Sequence, residues 1–225
     1  MSQLQRILEV ELMDTQEEAT GYDQMDHAVV NSRFVSDFLA EHGTSRGGWY
    51  LDLGTGTGLI PLILAVADRN AKIEAVDGAH EMLKLASEHV ASAGLTQRIR
   101  LIHGDAKNLS LPSGKYEAVL SNSIVHHIPE PLSVMQEMVR LVAPGGTLFV
   151  RDLSRPVDAG RLQTLVNRYA DGAPEIARRM FAESLHAALT PKEVADLVEP
   201  MGIPRACVAL TSDRHWTLVW KRPPE

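Results

Sequence analysis

Three glycines interrupt the apolar stretch YLDLGTGTGLIPL at residues 50–62. Asp52 comes just before them, and Gly54, Gly56 and Gly58 lack the Cβ atom that would hold a ligand away from the backbone. A helix that begins behind such a turn presents free N–H groups and a partial positive charge. This arrangement is typical of a site for a ligand that carries a carboxylate or a phosphate.

A second acid indicates that the ligand contains a ribose. Asp77 ends the run KIEAVD, 23 residues after Gly54 (77 − 54), and Gly78 follows it. A carboxylate at a strand end can accept hydrogen bonds from both ribose hydroxyls. A solvated turn residue is the alternative interpretation of Asp77, and the neighbouring glycines favour ribose binding.

Two ligand classes share these features, the nicotinamide dinucleotides and S-adenosylmethionine. A dinucleotide turn usually reads GxGxxG, whereas this turn reads GxGxG. A Tyr-x-x-x-Lys pair for hydride chemistry is also missing, since Tyr116 is followed by Val119 and Leu120. The spacing therefore favours S-adenosylmethionine over a dinucleotide.

The surrounding sequence alternates between short apolar runs and helical patterns. WYLDL, KIEAVD, RIRLIHG, YEAVLSN and GTLFVRD are predicted strands, and LIPLILAVAD, HEMLKLASEHVASAG and EPLSVMQEMVRLV are predicted helices. This rhythm predicts an α/β fold, with a doubly wound and mostly parallel sheet. The runs ACVALTS and HWTLVWK are separated only by Asp213 and Arg214, which predicts a terminal antiparallel hairpin.

The parts outside this rhythm are predicted to be helical. We expect a single domain over 1–225, with an N-terminal helical lid at 1–43 and a cofactor-binding core at 44–152. A helical insertion over the cleft follows at 153–189, and the last helix and hairpin occupy 190–225. The lid is predicted to contain a short helix from Leu4 to Met13, and Thr190 is predicted to cap the last helix.

Composition excludes several classes of protein. The net charge of the 225 residues is −7, and no basic stripe is present, so we expect no nucleic-acid partner. Cys207 is the single cysteine, which excludes an internal disulfide and fits a reducing compartment. The acidic N-terminus lacks the apolar region of a signal peptide, and no run is long enough to span a membrane. We therefore expect a cytoplasmic protein without a membrane partner.

Four motifs in order resemble those of the class I S-adenosylmethionine-dependent methyltransferases. They are LDLGTGTG, IEAVDGAHEML, IHGDAKNLSLP and YEAVLSNSIVHHIPEP, and EMVRLVAPGGTLFVRD resembles the fifth helix and strand. The resemblance covers about residues 22–221. It is greatest to small-molecule methyltransferases of ubiquinone and menaquinone synthesis, and Ser121-Asn122-Ser123-Ile124 differs from the Asn-Pro-Pro-Tyr of many amino-methylating relatives. It implies a Rossmann-like, seven-stranded sheet whose last strand is antiparallel.

The resemblance also implies roles for individual residues. The glycine turn would line the methionine end of S-adenosylmethionine, Asp52 would hold its ammonium group, and Asp77 would take the ribose. Asn122 would contact the methionine part, and Tyr22 would close over the cofactor. The implied cofactor-binding residues are Tyr22, Asp52, Gly54, Gly56, Gly58, Asp77, Gly78, Asp105, Ala106 and Asn122, with Asp105 and Ala106 at the adenine.

The sequence indicates fewer residues that would contact the acceptor of the methyl group. His126 and His127 follow the fourth predicted strand and are the candidate catalytic bases, with His126 favoured if only one acts. Packing or substrate orientation is the alternative role for either. Arg151 and Arg155 are candidate contacts to an acidic or phenolic substrate, with a surface ion pair as the other interpretation, and His27 is a candidate lining residue. No spacing of the HxxxH or CxxC type is present, so no metal is expected.

Three functions remain open at this stage. The first is transfer of a methyl group from S-adenosylmethionine to a small molecule, with S-adenosylhomocysteine as product. The second is a cofactor-binding sensor or partner subunit that catalyses nothing, against which the paired histidines weigh mildly. The third is an NAD-dependent oxidoreductase, which the glycine spacing and the hairpin disfavour. The acceptor atom and the oligomeric state, including a homodimer, are left undecided.

Overall fold

The computed structural model of the chain describes residues 4–12 and 14–224. Strands and helices alternate through the middle of the sequence, as predicted. The strands are β1 (Trp49–Leu53), β2 (Lys72–Asp77), β3 (Ile99–His103), β4 (Tyr116–Asn122), β5 (Val142–Leu153), β6 (Val208–Leu210) and β7 (His215–Lys221). The helices are α1 (Gln16–Asp23), α2 (Ala28–His42), α3 (Leu59–Ala67), α4 (His80–Ser92), α5 (Pro131–Leu141), α6 (Ala159–Tyr169), α7 (Glu175–Ala187) and α8 (Pro191–Val198).

The strands form one seven-stranded sheet in the order β3-β2-β1-β4-β5-β7-β6. The first strand β1 pairs in parallel with β2 and with β4, and β2 pairs in parallel with β3. The last two strands, β6 and β7, are antiparallel, with Val208 opposite Leu218. The predicted fold class and terminal hairpin are therefore confirmed.

Strand β1 lies at the position where the sheet order reverses. On one side of β1 lies β2, the next strand along the chain. After β3 the chain crosses back, so that β4 lies on the opposite side of β1. In open parallel sheets, the carboxyl end of the strands at such a switch point is where ligands bind. Four of the five residues of β1 are buried, as expected for a strand in the middle of a parallel sheet covered by helices.

The chain divides into two compact units, which are described separately below. The sheet unit comprises Leu12–Asn122, Ser133–Val150 and Val219–Glu225. Its core includes the fully buried side chains of Phe38, Tyr50, Leu64 and Ile73. The helical unit comprises Met1–Glu11, Ser123–Leu132 and Arg151–Leu218. The domain boundaries at residues 43, 152 and 189 stay predictions.

The helical unit has a small core of its own. Leu153, Leu165, Val166, Leu185 and Ala188 pack together in it, from the end of β5 and from α6 and α7. Both helices lie within the predicted helical insertion at 153–189. The Asp158 carboxylate accepts from the backbone N–H of Arg161 (2.8 Å) at the start of α6. At the start of α8, Thr190 and Glu193 form a reciprocal capping box, so the predicted cap is confirmed.

The helix predicted from Leu4 to Met13 is wrong for residues 4–12, which contain no helix, and Met13 lies outside the described residues. Backbone hydrogen bonds explain the difference. The N–H of Leu4 donates to the carbonyl of Val157 (3.2 Å), and that of Ile7 donates to His186 (3.2 Å). These partners replace the intrahelical ones, so residues 4–11 form an extended strap on the helical unit.

The arginine at position 6 fastens this strap. Its guanidinium donates to the carbonyls of Ala187 (2.7 Å) and Ile128 (2.9 Å), and its further acceptors are the carbonyls of His126 and Pro129. A helix does form later, at α1, where Thr15 and Glu18 make a capping box. The N-terminal region is thus helical over α1 and α2 and extended before them.

Across the described ranges 4–12 and 14–224, we find no helix that is both long and apolar enough to cross a bilayer.

Gly58 provides a test of the turn between β1 and α3. Its φ is +80°, and a Cβ atom there would lie 3.1 Å from the Cβ of Ala86 on α4. Gly94 has a similar φ of +68° but has nothing within 4 Å of an added Cβ. Alanine at either site pays for a left-handed backbone, about 1–2 kcal/mol, while Gly58→Ala also overpacks. We expect Gly58→Ala to cost at least about 1 kcal/mol more than Gly94→Ala in urea unfolding followed by circular dichroism. Equal losses of stability in the two variants would show that α4 moves away from the added methyl group without cost.

Candidate functional site

The glycine turn lies between β1 and α3 in the sheet unit. The backbone N–H groups of Gly54 and Thr55 both donate to the carbonyl of Val76 (2.9 Å each), which ties the turn to the end of β2. All three glycines of the turn have left-handed φ values, between +56° and +80°. A side chain at these positions would be strained, so the glycines are needed for the path of the backbone as well as for ligand access.

Asp77 holds the turn from the neighbouring strand. Its Oδ2 accepts from the N–H of Gly56 (2.7 Å), and its Oδ1 accepts from the N–H of Ala79 (2.8 Å). Burial raises the pKa of Asp77, and the backbone N–H groups oppose that rise. Each carboxylate oxygen can accept a second hydrogen bond. The side chain predicted to bind ribose is therefore placed and oriented at the glycine turn.

Asp52 is buried at the end of β1, with 2% of its surface exposed. Its Oδ2 has no hydrogen-bond partner among the residues that the structure describes. Burial raises the pKa of this carboxyl to about 7, the nearby Thr55 hydroxyl opposes the rise, and the charge of Asp77 adds to it. A buried acid with an unpartnered oxygen is costly unless a cation or donor completes it, so Asp52 marks a binding position.

Tyr22 covers the turn. Its ring carbon Cε1 lies 3.7 Å from the point that a Cβ of Gly56 would occupy. The ring stacks on His27, with centroids 4.5 Å apart, and the His27 Nε2 lies 3.1 Å from the carbonyl oxygen of Tyr22. Burial raises the pKa of Tyr22 to about 12, so its hydroxyl stays protonated at neutral pH. Tyr22 is therefore brought to the glycines, as predicted, and His27 supports it. Asp26 accepts from the backbone N–H of Ala28 (3.0 Å), the first residue of α2.

The predicted adenine residues follow β3. The Oδ1 atom of Asp105 accepts from the backbone N–H of Lys107 (2.9 Å) and pairs with its ammonium group (3.0 Å), while Ala106 is half-buried. His103 at the end of β3 stacks on His80 at the start of α4, with centroids 3.7 Å apart. Asn122 ends β4 and is half-buried. All ten predicted cofactor residues belong to the sheet unit.

The predicted catalytic histidines lie in the helical unit, where they meet two acids. The Nδ1 atom of His126 is 2.5 Å from Oδ1 of Asp152, and its Nε2 is 3.3 Å from Oε1 of Glu9. Burial alone would lower the pKa of His126, but the Asp152 carboxylate raises it, with help from Glu9. Burial lowers the pKa of His127 to about 4, and the neighbouring His126 adds to the fall. Since both ring nitrogens of His126 already face carboxylates, its role as a base stays a prediction.

Arg155 was expected either to contact substrate or to form a surface ion pair. The structure buries it instead, with 6% of its surface exposed. Its guanidinium donates to the carbonyls of Leu4 (3.0 Å) and Ala188 (2.7 Å), and it pairs with Glu193. Each of its three nitrogens is thus committed to the protein, which indicates a structural role. The surface interpretation is wrong, because the extended strap covers the side chain.

Arg151 is also buried, at the end of β5. Its Nε donates to the hydroxyl of Thr217 on β7 (2.9 Å). This contact joins the parts of β5 and β7 that lie in the helical unit. Arg151 as a substrate contact stays a prediction.

The sequence interpretation missed four residues. Thr55 and Thr57 alternate with the glycines, and both hydroxyls are buried without a hydrogen-bond partner among the described residues. Their signal was the small polar residue type inside the GxGxG motif. His89 bridges the carbonyl of Thr57 (Nδ1, 2.9 Å) and the Asp23 carboxylate (Nε2, 3.3 Å), which ties the α1 end to the turn. Glu9 carried no sequence signal, because its partners are more than a hundred residues away.

Comparison with known proteins identifies the central part of the chain. The family model described as methyltransferase domain matches residues 51–150, which include the glycine turn, Asp77 and β4. The ubiquinone biosynthesis O-methyltransferase of Methylococcus capsulatus is 34% identical over 133 residues, 59% of this chain and 54% of that protein. The phosphatidylethanolamine N-methyltransferase of Cereibacter sphaeroides is 34% identical over 111 residues, 49% of this chain and 53% of that protein.

A solved structure agrees at the level of the fold. A SAM-dependent methyltransferase from Aquifex aeolicus has a TM-score of 0.67 and 20% identity, with 92% of this chain and 98% of that chain covered. The chain spans about half the length of the two curated relatives named above. The order of the sheet, the glycine turn with its two acids and the matching family model lead to one conclusion. Residues 51–150 of the chain belong to the methyltransferase domain family, and the fold around them is similar to that of a solved S-adenosylmethionine-dependent methyltransferase.

Proposed function

We propose that this protein transfers a methyl group from S-adenosylmethionine to a small-molecule acceptor. The observation that carries the proposal is Asp52, a buried carboxylate with an unpartnered oxygen beside a glycine turn. S-adenosylmethionine supplies a methyl group activated on a sulfonium, so the protein mainly needs to bind, align and desolvate the reactants.

The residues at the turn fit this cofactor. An ammonium group is the partner that Asp52 lacks, because it provides both the charge and the donors that a buried carboxylate needs. Gly54, Gly56 and Gly58 leave room for the methionine end beside it. Asp77, held by two backbone N–H groups, presents its remaining lone pairs to two ribose hydroxyls.

The remaining cofactor contacts are carried over from the family motifs. Asp105 would accept from the adenine amino group, and Ala106 would pack beside the ring. Asn122, at the end of β4, would orient the methionine part, and Tyr22 would shield it from water. The position of Tyr22 against Gly56 supports this last role, because a ring there covers the turn.

The proposed acceptor is a phenolic precursor of a quinone. The relative from Methylococcus capsulatus supports this class, while the Cereibacter sphaeroides relative makes a phospholipid amine the competing class. The net charge of −7 supports a small molecule over a nucleic acid. A phenol reaches the site protonated, and His126 or His127 is the proposed base for that proton. The single cysteine supports a reducing compartment such as the cytoplasm.

Calorimetric titration of the full chain with S-adenosylmethionine, S-adenosylhomocysteine and NAD tests the cofactor. We expect micromolar binding of the first two and none of NAD. Release of S-adenosylhomocysteine is then measured with a demethylated quinone precursor and, separately, with phosphatidylethanolamine vesicles. Turnover with the phenol supports the proposal, and turnover with the vesicles alone reassigns the acceptor. Cofactor binding without turnover on either would favour a sensor or partner subunit.

A further inference from the structure

Three side chains of the helical unit converge on one point. We call Glu9, His126 and His127 the Glu-His-His cluster. The Oε1 atom of Glu9 lies 3.3 Å from Nε2 of His126 and 3.1 Å from Nδ1 of His127. One carboxylate oxygen and two imidazole nitrogens thus lie within 4.8 Å of one another.

These spacings match the spacing of ligands around a metal ion. Carboxylate oxygens and imidazole nitrogens bind zinc and similar ions at about 2.0–2.2 Å. At tetrahedral or octahedral angles, two such ligands are about 3.0–3.5 Å apart. The two contacts of Glu9 fall in that range. Two histidines and one carboxylate are also a recognised ligand set for divalent transition metals.

The cluster is incomplete as a network of hydrogen bonds. Glu9 Oε1 and His127 Nδ1 are both buried, and neither makes a hydrogen bond with any residue in the described part of the chain. Buried polar atoms are almost always paired, so two unpaired ones that face each other need an explanation. An ion between them would complete both at once.

The groups behind the cluster orient its ligands. Asp152 binds Nδ1 of His126 through Oδ1 (2.5 Å) and accepts from the His126 backbone N–H through Oδ2 (3.1 Å). This leaves Nε2 as the ligand atom, in the manner of the carboxylate–histidine pairs found at metal sites. The Ser184 hydroxyl donates to Oε2 of Glu9 (3.1 Å), which leaves Oε1 for the ion.

We propose that the Glu-His-His cluster binds one divalent transition-metal ion, such as Zn²⁺, Mn²⁺ or Fe²⁺. Three protein ligands leave at least one coordination position open to water or to an oxygen of a small molecule. Two nitrogen ligands disfavour Mg²⁺ and Ca²⁺, which select oxygen. The sequence predicted no metal, because Glu9 lies far from the histidines along the chain and only the strap brings it to them.

A competing arrangement is a His126 imidazolium held between Glu9 and Asp152, with no ion. It would account for the contacts of His126, but His127 Nδ1 would lie 3.1 Å from Glu9 Oε1 without forming a hydrogen bond to it. The two arrangements differ in what they bind. An ion held by Nε2 of His126 and Nδ1 of His127 would occupy the nitrogens that a base needs, so the metal site and the base proposed above are mutually exclusive roles. The metal proposal does not rest on methyl transfer, and its test uses metal binding alone.

The test is calorimetric titration of the EDTA-treated full chain with Zn²⁺, together with Co²⁺ absorption in the visible range. We expect one equivalent to bind with a Kd of about a micromolar or less, and 1 mM Mg²⁺ not to compete. Glu9→Gln and His127→Ala should each weaken binding by at least about tenfold. Glu183→Gln, beside Ser184, and His103→Ala, at the stacked histidine pair, are the controls and should bind as the wild type does.

The outcomes separate the two arrangements. Stoichiometric binding that both cluster variants weaken supports the proposal. Lack of saturable metal binding by the wild type supports the imidazolium arrangement and overturns the metal proposal. Binding that persists in both cluster variants, or is lost in His103→Ala, places the ion elsewhere and also overturns it. Circular dichroism tests whether each variant is folded. If His127→Ala is unfolded, Glu9→Gln alone carries the test, because glutamine has nearly the same shape as glutamate.

Discussion

Replacing Asp77 with alanine is expected to weaken the binding of S-adenosylmethionine and S-adenosylhomocysteine by about 100-fold or more. In the proposed complex, this carboxylate accepts from two ribose hydroxyls. Hydrogen bonds to a charged group contribute about 1.5–3 kcal/mol each, and every 1.4 kcal/mol is a factor of ten in Kd. Calorimetric titration of the variant and the wild type under the same conditions measures the change.

Asp77 also holds the N–H groups of Gly56 and Ala79, so two further variants accompany the first. Asp77→Asn has the same shape and keeps one carbonyl acceptor, and we expect it to lose less affinity than the alanine variant. Asp37→Ala removes a carboxylate that pairs with Arg33 on the surface of α2, and it should bind as the wild type does. A loss below about tenfold in folded Asp77→Ala would contradict the role of Asp77 at the ribose.

Replacing Asp52 with asparagine is expected to stabilise the cofactor-free protein while weakening cofactor binding. A pKa of about 7 against an ordinary value of 3.8 means that the ionised carboxylate costs the folded state about 4 kcal/mol at high pH. Asparagine removes this cost but still buries an amide, so we expect a gain of about 2–4 kcal/mol at pH 8. Urea unfolding of both proteins measures the gain.

The pH dependence of this gain has a defined sign. Because the folded state raises the pKa of Asp52, it binds a proton more tightly than the unfolded state does. The stability contributed by this group is therefore lost as pH rises from about 4 to about 7. The advantage of Asp52→Asn should be large at pH 8 and close to zero at pH 4. An advantage that does not change with pH would show that Asp52 stays charged throughout.

Cofactor binding should show the opposite trend. The proposed partner of Asp52 is an ammonium group, so the carboxylate must be ionised to bind it. We expect the affinity of the wild type for S-adenosylmethionine to rise from pH 5.5 to pH 7.5 and the affinity of Asp52→Asn to stay low. Equal affinities of the two proteins at pH 7.5 would remove Asp52 from the site. If Asp52→Asn stabilises the protein but weakens cofactor binding, then Asp52 serves cofactor binding at the expense of stability.

The alternating strands and helices were predictable because the sequence patterns that indicate them involve neighbouring residues. Strand β1, for example, appears in sequence as a continuous apolar run, since it is covered on both faces. Gly54, Gly56 and Gly58 stand where the backbone needs left-handed φ values, and Thr190 caps a helix through atoms three residues away. Each of these features depends on neighbours within one turn or one strand.

Other features depended on contacts between distant segments. A weak apolar pattern predicted a short helix from Leu4 to Met13, yet the N–H groups of Leu4 and Ile7 bond to the carbonyls of Val157 and His186. Tertiary partners therefore override local propensity here. The burial of Arg155 follows from the same strap.

The sequence alone therefore determined the alternation of strands and helices, the terminal hairpin, the glycine turn and the acids Asp52 and Asp77, because periodicity and turn chemistry depend on neighbouring residues. Only the tertiary structure decided that Glu9 meets His126 and His127, and that Asp152 stands behind them. No spacing in the sequence encodes such a meeting, since it depends on where the backbone hydrogen bonds of an extended strap find their partners.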